Sequence, residues 1–349
     1  MRFNKIYSIL FFISLMTIPN TLQAKNDGLL IEEIKRGGPI SRVHPKYPVS
    51  AARRGQEGWV VMSFVVDKTG KVNSTIVEDS SNGKVFNKAA TKAIEQWVYK
   101  PTTINGKAVE QCKNTIRFDF MLDTEEQGAR KKFARSYKKI TKLITEKKFD
   151  EAEESINTLK NKGVWNLYED AWINSLSASL YSETGDEIKE LAALTSVSRS
   201  NKSYFDNETN LNHLTRLFDL HIDHKLYVEA LETAKKVKKL DKAKKVYFKL
   251  EKVVGQLEKF INSGGDYVVK GNTSKKGIWS YGLARKSFGF TGQTSHLRKL
   301  DVRCDNKHSV YSIAKDSIWT IPSSWGKCRV FVYGDNNSVV NLVEVKNKI

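Results

Sequence analysis

The spacing of apolar and polar residues divides the chain into regions of different period. In residues 38–122 apolar side chains alternate as in β-strands, most clearly in the run 59–66. The turn Asp67-Lys68-Thr69-Gly70 then predicts an antiparallel hairpin with residues 72–77. Residues 86–97 repeat at helical spacing ahead of Pro101, and alternation returns over residues 115–122. With a short helix at 49–54, this order predicts a two-layer α/β unit with one sheet face packed on helices.

Residues 126–262 are rich in lysine and show helical rather than strand-like spacing. Three pairs of residues recur at intervals of roughly 39 residues, each early in the second helix of a predicted helix pair. These pairs are Phe149/Ala152, Ile188/Leu191 and Tyr227/Ala230. The region resembles a degenerate tetratricopeptide array, which predicts an α-helical solenoid that could dock a second protein client.

Residues 265–349 return to short strand-like runs separated by turn residues, which predicts a small β-sandwich or barrel. Cys304 and Cys328 lie in two of these runs, and we expect them to form a disulfide. Cys112 would then be a half-buried thiol on a strand or would form an intermolecular disulfide. The fold class predicted for the whole chain is α+β and multidomain.

The first residues are typical of an export signal. Arg2 and Lys5 precede an apolar run at 6–18, and Ala24 is the predicted cleavage position. Residues 1–24 are therefore interpreted as a signal peptide and the mature protein as periplasmic. The alternative is an uncleaved anchor in the inner membrane, although the apolar run is shorter than the roughly 20 residues that span a bilayer.

The chain is basic, with 58 Lys and Arg residues against 39 Asp and Glu residues and a formal net charge of +19. Such an excess favours anionic partners. Export argues against nucleic acid as this partner. The lysine runs of the helical region suggest weak contact with anionic envelope polymers instead. A mean hydropathy of -0.46 argues against several membrane spans.

No phosphate-binding glycine loop, nucleophile elbow or zinc-protease motif is present in the sequence. We therefore expect no enzymatic activity, no cofactor and no metal site. His213, His221 and His224 are expected on a polar helical face or turn rather than as metal ligands.

A series of residues within 38–122 resembles the C-terminal domain of TonB-family proteins. The matching positions include Pro45-Lys46-Tyr47-Pro48, Gly55-Gln56-Glu57-Gly58, Gly70-Lys71-Val72, Phe86-Asn87, Trp97, Tyr99-Lys100-Pro101 and Gly106. In that family the domain captures a short extended segment of an outer-membrane receptor, the TonB box, as an added strand. The resemblance implies partners among TonB-dependent receptors or transducer complexes with ExbB/ExbD-type proteins.

The resemblance also implies where a partner would bind. The last strand would offer its backbone edge, and the segment around the Tyr-Pro pair would form a second contact. The strand residues are Thr115, Ile116, Arg117, Phe118, Asp119 and Phe120, and the second contact comprises Val43, His44, Pro45, Tyr47 and Pro48. The apolar side chains Ile116, Phe118 and Phe120 are expected in the core, so that the backbone of this strand would do the binding.

The chain departs from the pattern of a complete TonB-type transducer. Its apolar N-terminal run has no histidine, residues 25–38 are too short for a proline-rich arm, and the matching domain precedes two further regions. We therefore interpret the protein as a non-enzymatic periplasmic interaction component of a TonB-dependent transport system. The alternative is an envelope scaffold or assembly protein that uses the same domain for dimerisation.

Overall fold

The computed structural model describes residues 33–81, 84–122, 128–161, 166–240, 244–314 and 317–346. The predicted signal peptide, residues 1–24, lies outside these ranges. Within them the chain has the predicted α+β architecture, with an α/β region followed by an array of helices and a set of β-sheets. None of the helices in these ranges is long and apolar enough to cross a membrane.

The first region is built around a three-stranded antiparallel sheet. Its elements are β1 (Ile34–Lys35), β2 (Pro39–Ser41), α1 (Val49–Ala52), β3 (Gly58–Val66), β4 (Val72–Ser80), α2 (Lys84–Ile94), β5 (Val98–Tyr99), β6 (Thr102–Ile104), β7 (Lys107–Val109) and β8 (Gln111–Phe120). Strand β3 lies between β4 and β8 and pairs with both. Two smaller sheets contain β1, β6 and β7, and β2 with β5.

The predicted hairpin between β3 and β4 is confirmed, and its turn depends on Asp67 and Gly70. The Asp67 Oδ1 atom accepts hydrogen bonds from the backbone N–H groups of Thr69 and Lys71, at 2.8 and 3.0 Å. Gly70 has a φ of +88°, and a Cβ atom there would lie 2.0 Å from the Tyr99 carbonyl oxygen. Only glycine therefore suits this position.

The helix predicted over residues 86–97 ends earlier, at Ile94. Residues 98–99 instead form β5, because β5 pairs with β2 and the Tyr99 N–H donates to the Gly70 carbonyl at 2.8 Å. Trp97 lies beyond the helix, and its indole N–H donates to the Val43 carbonyl at 2.8 Å. Strand pairing distant in sequence, and not Pro101, determines where this helix stops.

All nine residues of β3 are buried, so both faces of the central strand are covered. On one face Val60, Met62 and Phe64 pack with α2 in a single hydrophobic core. On the other face Trp59 and Val61 pack with residues of the helical array. The α/β unit itself has the two predicted layers, but the rest of the chain covers its second sheet face.

The middle region consists, among the described residues, of seven helices. They are α3 (Lys131–Thr145), α4 (Phe149–Asn161), α5 (Leu167–Thr184), α6 (Glu187–Ser198), α7 (Asn207–Asp223), α8 (Tyr227–Lys238) and α9 (Lys244–Ser263).

The turns α3–α4, α5–α6 and α7–α8 each contain one residue with a positive φ angle, namely Lys147, Gly185 and Lys225. This similarity supports a repeated helix-pair geometry. Ile188, however, is 59% exposed, so it does not fill the wedge position that Tyr227 occupies. The tetratricopeptide assignment thus stays a prediction.

The C-terminal region contains two four-stranded antiparallel sheets. Its strands are β9 (Tyr267–Asn272), β10 (Ile278–Gly282), β11 (Ser287–Phe290), β12 (Leu297–Cys304), β13 (His308–Ser312), β14 (Ile318–Thr320), β15 (Cys328–Gly334) and β16 (Val339–Val345). The sheet orders are β10-β15-β12-β13 and β14-β11-β16-β9, and both sheets contribute to one core. The predicted disulfide joins Cys304 and Cys328 on the paired strands β12 and β15. Strand β14 was not predicted.

A buried arginine connects the last helix to the C-terminal sheets. The guanidinium of Arg285 donates to the carbonyls of Phe260 and Ile261 at the end of α9, both at 3.0 Å. Its backbone N–H donates to Glu344, which also accepts a hydrogen bond from the Tyr281 hydroxyl at 2.7 Å. Carbonyls in the last turn of a helix carry its negative dipole end, so a buried cation is a favourable cap for them.

The predicted polar face carrying His221 is not observed, because this side chain is buried between α7 and α8. Its Nδ1 atom lies 3.2 Å from the Thr233 hydroxyl oxygen. Burial lowers the pKa of His221 to about 4, from an ordinary value of 6.5.

His221 should therefore make the folded protein less stable in mild acid. The unfolded chain binds a proton near pH 6.5 and the folded chain only near pH 4, so this contribution to stability is present above pH 6.5 and is lost as the pH falls towards 4. We expect His221→Asn to reduce the loss of unfolding free energy between pH 7 and pH 4.5 by about 1–3 kcal/mol. Urea denaturation at the two pH values measures this loss. His224→Asn is the control, and equal losses in all three proteins would contradict the assignment.

Candidate functional site

The outer edge of β8 is open to strand pairing. On one side β8 pairs with β3, from Phe120 opposite Gly58 to Gln111 opposite Val66. On the other side no strand of the described residues pairs with it. Edge strands present backbone N–H and C=O groups that can pair with another chain. The structure thus places the predicted residues 115–120 on a sheet edge.

The side chains of β8 divide between the core and the second sheet face. Phe118 and Phe120 are buried against α2 and β3, and Ile116 is partly buried in the same core. Arg117 packs over the ring of Trp59, 4.7 Å from its centroid, and its Nε–H donates to Asp119 at 2.7 Å. These side chains are engaged within the protein, so over residues 116–120 the backbone is what β8 can offer to a partner, whereas the Thr115 side chain is exposed.

One side chain of the helical array reaches this edge. Asn201, in the turn between α6 and α7, donates from Nδ2 to the Arg117 carbonyl at 3.3 Å and to Asp119 Oδ2 at 2.8 Å. A guest strand that used the Arg117 carbonyl would have to displace this amide. Among the residues that the structure describes, a side chain therefore caps this edge at one acceptor and no strand closes it.

The segment ahead of α1 packs over the end of β8. The Tyr47 ring makes edge-to-face contacts with Phe86 and Phe120, both with centroids 6.0 Å apart, and its hydroxyl donates to the Gln56 carbonyl at 2.7 Å. Burial, with a contribution from the Glu57 charge, raises the pKa of Tyr47 to about 12. Tyr47 is therefore neutral at ordinary pH and anchors this segment.

A groove of 440 Å³ lies between this segment and the outer face of α2. It is lined by Val43, His44, Lys46, Tyr47, Pro48, Val85, Lys88, Ala89, Lys92, Ala93 and Gln96. Of the predicted second contact, only Pro45 is not in this lining. Three of the lining residues are lysines, and no carboxylate of the described residues is among them. The groove therefore suits a partner segment that combines apolar and acidic side chains.

Aromatic packing connects the segment that lines the groove to β8. Trp97 holds the Val43 carbonyl and packs edge-on against Phe118 with ring centroids 5.5 Å apart. Tyr47 contacts Phe120 two residues further along β8. A single extended segment could thus pair with β8 and place its side chains towards the groove.

Sequence reasoning missed the contribution of α2 to this groove. The signal was present, because Lys88 and Lys92 are one turn apart and alternate with Val85, Ala89 and Ala93. It was not decisive, since a lysine stripe on an amphipathic helix usually faces only solvent.

The other candidate residues do not form a reactive centre. In the described part of the chain, no group of three or more His, Cys, Asp or Glu residues is arranged to hold a metal ion. His213 contacts the Ser175 hydroxyl at 2.9 Å, and His224 lies 3.3 Å from Glu187. Cys112 is a free thiol that is buried on β8, and burial raises its pKa.

Comparison with known proteins finds a family match within the α/β region. The family of Gram-negative bacterial TonB protein C-terminal domains matches residues 43–122. Protein TonB of Xanthomonas campestris pv. campestris is 36% identical over 75 residues, which cover 21% of this chain and 34% of that protein. Protein tonB2 of Pseudomonas aeruginosa is 34% identical over 86 residues, or 25% of this chain and 32% of that protein.

A solved structure shares this similarity. The solution NMR structure of the Pseudomonas aeruginosa TonB C-terminal domain is 27% identical, covers 26% of this chain and 90% of that chain, and has a TM-score of 0.24. The similarity spans about a third of the length of the curated relatives. The family match confirms the resemblance found in the sequence for one domain: the chain carries a TonB C-terminal domain at residues 43–122, followed by a region of several helices and by C-terminal β-sheets.

Proposed function

We propose that this protein acts in the periplasm as a non-enzymatic interaction component of a TonB-dependent, energy-coupled transport system. Its TonB C-terminal domain would capture an extended partner segment by strand addition to β8. The observation that carries the proposal is the outer edge of β8, which no strand of the described ranges pairs with, together with the groove formed by residues 43–48 and α2. The partner would be a TonB-dependent receptor or a protein of an ExbB/ExbD-type transducer complex.

Strand addition accounts for the arrangement of this site. Each main-chain hydrogen bond contributes roughly 0.5–1.5 kcal/mol, so several along the edge give a moderate affinity without a deep pocket. The adjoining groove supplies apolar contact and positive charge for selection among segments. The helical array, with Arg303 of the C-terminal sheets, would cover the second sheet face and leave the edge accessible.

Strand addition predicts that the effect of blocking backbone amides alternates along the guest peptide with a period of two residues. Synthetic receptor segments that bind the full mature chain should lose about tenfold or more in affinity when an amide facing β8 is N-methylated, because this removes a main-chain hydrogen bond. N-methylation of the alternate, outward amides is the matched control and should have little effect. Isothermal titration calorimetry measures both series.

A uniform response along the peptide would rule out pairing with β8. Absence of binding across a panel of receptor segments, together with a self-association that the same edge mediates, would favour the envelope scaffold. Sedimentation equilibrium measures that self-association.

The Asn201 amide should oppose guest binding. Asn201→Ala removes the hydrogen bonds to the Arg117 carbonyl and to Asp119, so a guest strand no longer has to displace them. We expect its affinity to rise about two- to tenfold. Asn212→Ala, on the exposed surface of α7, is the control. An unchanged or weaker affinity in Asn201→Ala would show that the guest does not use this part of the edge.

The groove should select acidic segments. The double variant Lys88→Glu with Lys92→Glu reverses two charges of the lining, and we expect about tenfold weaker binding of an acidic segment at low salt, with a smaller difference at high salt. Lys100→Glu with Lys107→Glu makes the same change at exposed positions of the domain outside the groove. If both double variants weaken binding equally, the effect comes from net charge and not from the groove.

A further inference from the structure

A second cleft lies where the three regions of the chain meet. It has a volume of 510 Å³ and is bounded by α8, α9, the turn between β10 and β11, the start of β15 and one residue of β8. This volume falls in the range of roughly 300–1,000 Å³ that is usual for small-molecule sites. The cleft is separate from the groove beside residues 43–48, and it shares no lining residue with that groove.

The inner wall of this junction cleft is apolar. Leu283 and Ile261 are buried, and Leu231, Tyr247 and Val254 are partly buried against the same core as the C-terminal sheets. When a ligand covers accessible apolar surface at the base of a cleft, the free energy of binding becomes more favourable by roughly 25 cal/mol for each Å² covered. The wall therefore favours an apolar ligand body.

The outer wall of the junction cleft is mostly basic. It carries four lysines and two glutamates: Lys113, Lys235, Lys238, Lys327, Glu232 and Glu258. None of these lysines has a carboxylate oxygen within 4.0 Å in the described part of the chain. Lys238 packs over the Tyr247 ring, 5.1 Å from its centroid, which holds it at the entrance. The cleft thus has more positive than negative groups, and the lysines are available to an anion.

A β-bulge brings Lys113 into this group. Phe64 is opposite Asn114 and Val66 is opposite Gln111, so Cys112 and Lys113 together lie opposite a single residue of β3. A bulge of this kind turns two successive side chains towards one face of the sheet. Cys112 is buried there, and Lys113 reaches the cleft. Lysines from all three regions of the chain therefore converge on one apolar wall.

We propose that the junction cleft binds a small amphipathic anion, namely an acyl or alkyl chain that ends in a carboxylate or a phosphate. The chain would cover the partly exposed Leu231, Tyr247 and Val254, and the anionic end would accept hydrogen bonds from lysine ammonium groups such as those of Lys238 and Lys327. This assignment depends on the cleft alone and does not require strand capture at β8. It would make the protein a binder of a lipid-like anion as well as of a protein segment.

The test is a titration of the full mature chain with dodecanoate and with dodecyl phosphate, each below its micelle concentration. We expect saturable binding with one site per chain that weakens as salt is added. The two ligands distinguish a fatty acid from a phosphate-bearing lipid as the source. Dodecyl maltoside, with the same chain and no charge, should bind at least about tenfold more weakly. Absence of saturable anion binding, or equal binding of the uncharged detergent, would overturn the proposal.

Variants locate the site. Lys238→Glu with Lys327→Glu should weaken dodecanoate binding about tenfold or more, since it places two negative charges beside the anionic end. Lys252→Glu with Lys259→Glu, exposed on α9 and outside the cleft, is the matched control and should leave binding unchanged. Equal loss in both would show that general surface charge, and not the cleft, binds the anion.

Discussion

Strand β3 is buried on both faces, and this burial governs how the three regions of the chain pack together. A strand whose nine residues are all buried needs an apolar layer on each side. Helix α2 supplies one layer, and the start of α5 with the turn before α7 supplies the other, through Leu167 and Tyr204. Exposing Trp59 and Val61 would cost about 1.5–3 kcal/mol for each side chain. The TonB C-terminal domain therefore needs the helical array as a neighbour.

Polar contacts determine how the helical array and the C-terminal sheets dock on this second face of the sheet. The Trp59 indole donates to Asp170 at 2.8 Å, and Glu57 accepts the backbone N–H groups of Leu122 and Leu167 at 2.8 and 2.9 Å. Arg303 of β12 is buried, pairs with Asp301 and donates to the Ser63 hydroxyl at 3.3 Å. Buried polar groups are costly without partners, so a shifted docking of these regions would leave several unsatisfied. The interface is specific as well as apolar.

With both faces covered, the edge of β8 and the groove between α2 and residues 43–48 lie outside the buried faces of the sheet. Their closeness follows from Tyr47 and Trp97, which pack the segment onto Phe120 and Phe118. The packing of the helical array and the C-terminal sheets against the domain brings Asn201 to the edge of β8 and forms the junction cleft around Lys113. Strand capture and anion binding would thus be separate uses of one arrangement of the three regions.

Features that arise from local patterns could be predicted from the sequence. Alternation located β3 and β8, turn residues located the hairpin at Asp67–Gly70, helical spacing located the helix pairs, and two strand-like runs identified Cys304 and Cys328 as partners. Tertiary structure alone decided that α2 ends at Ile94, that Asn201 reaches Arg117, that Lys88 and Lys92 line a groove and that Lys113 enters a cleft. The spacing of residues along a chain indicates which near neighbours lie on the same face of a helix or strand. It does not report which distant segment will pack on that face, because that choice depends on the burial and hydrogen bonding of the whole fold.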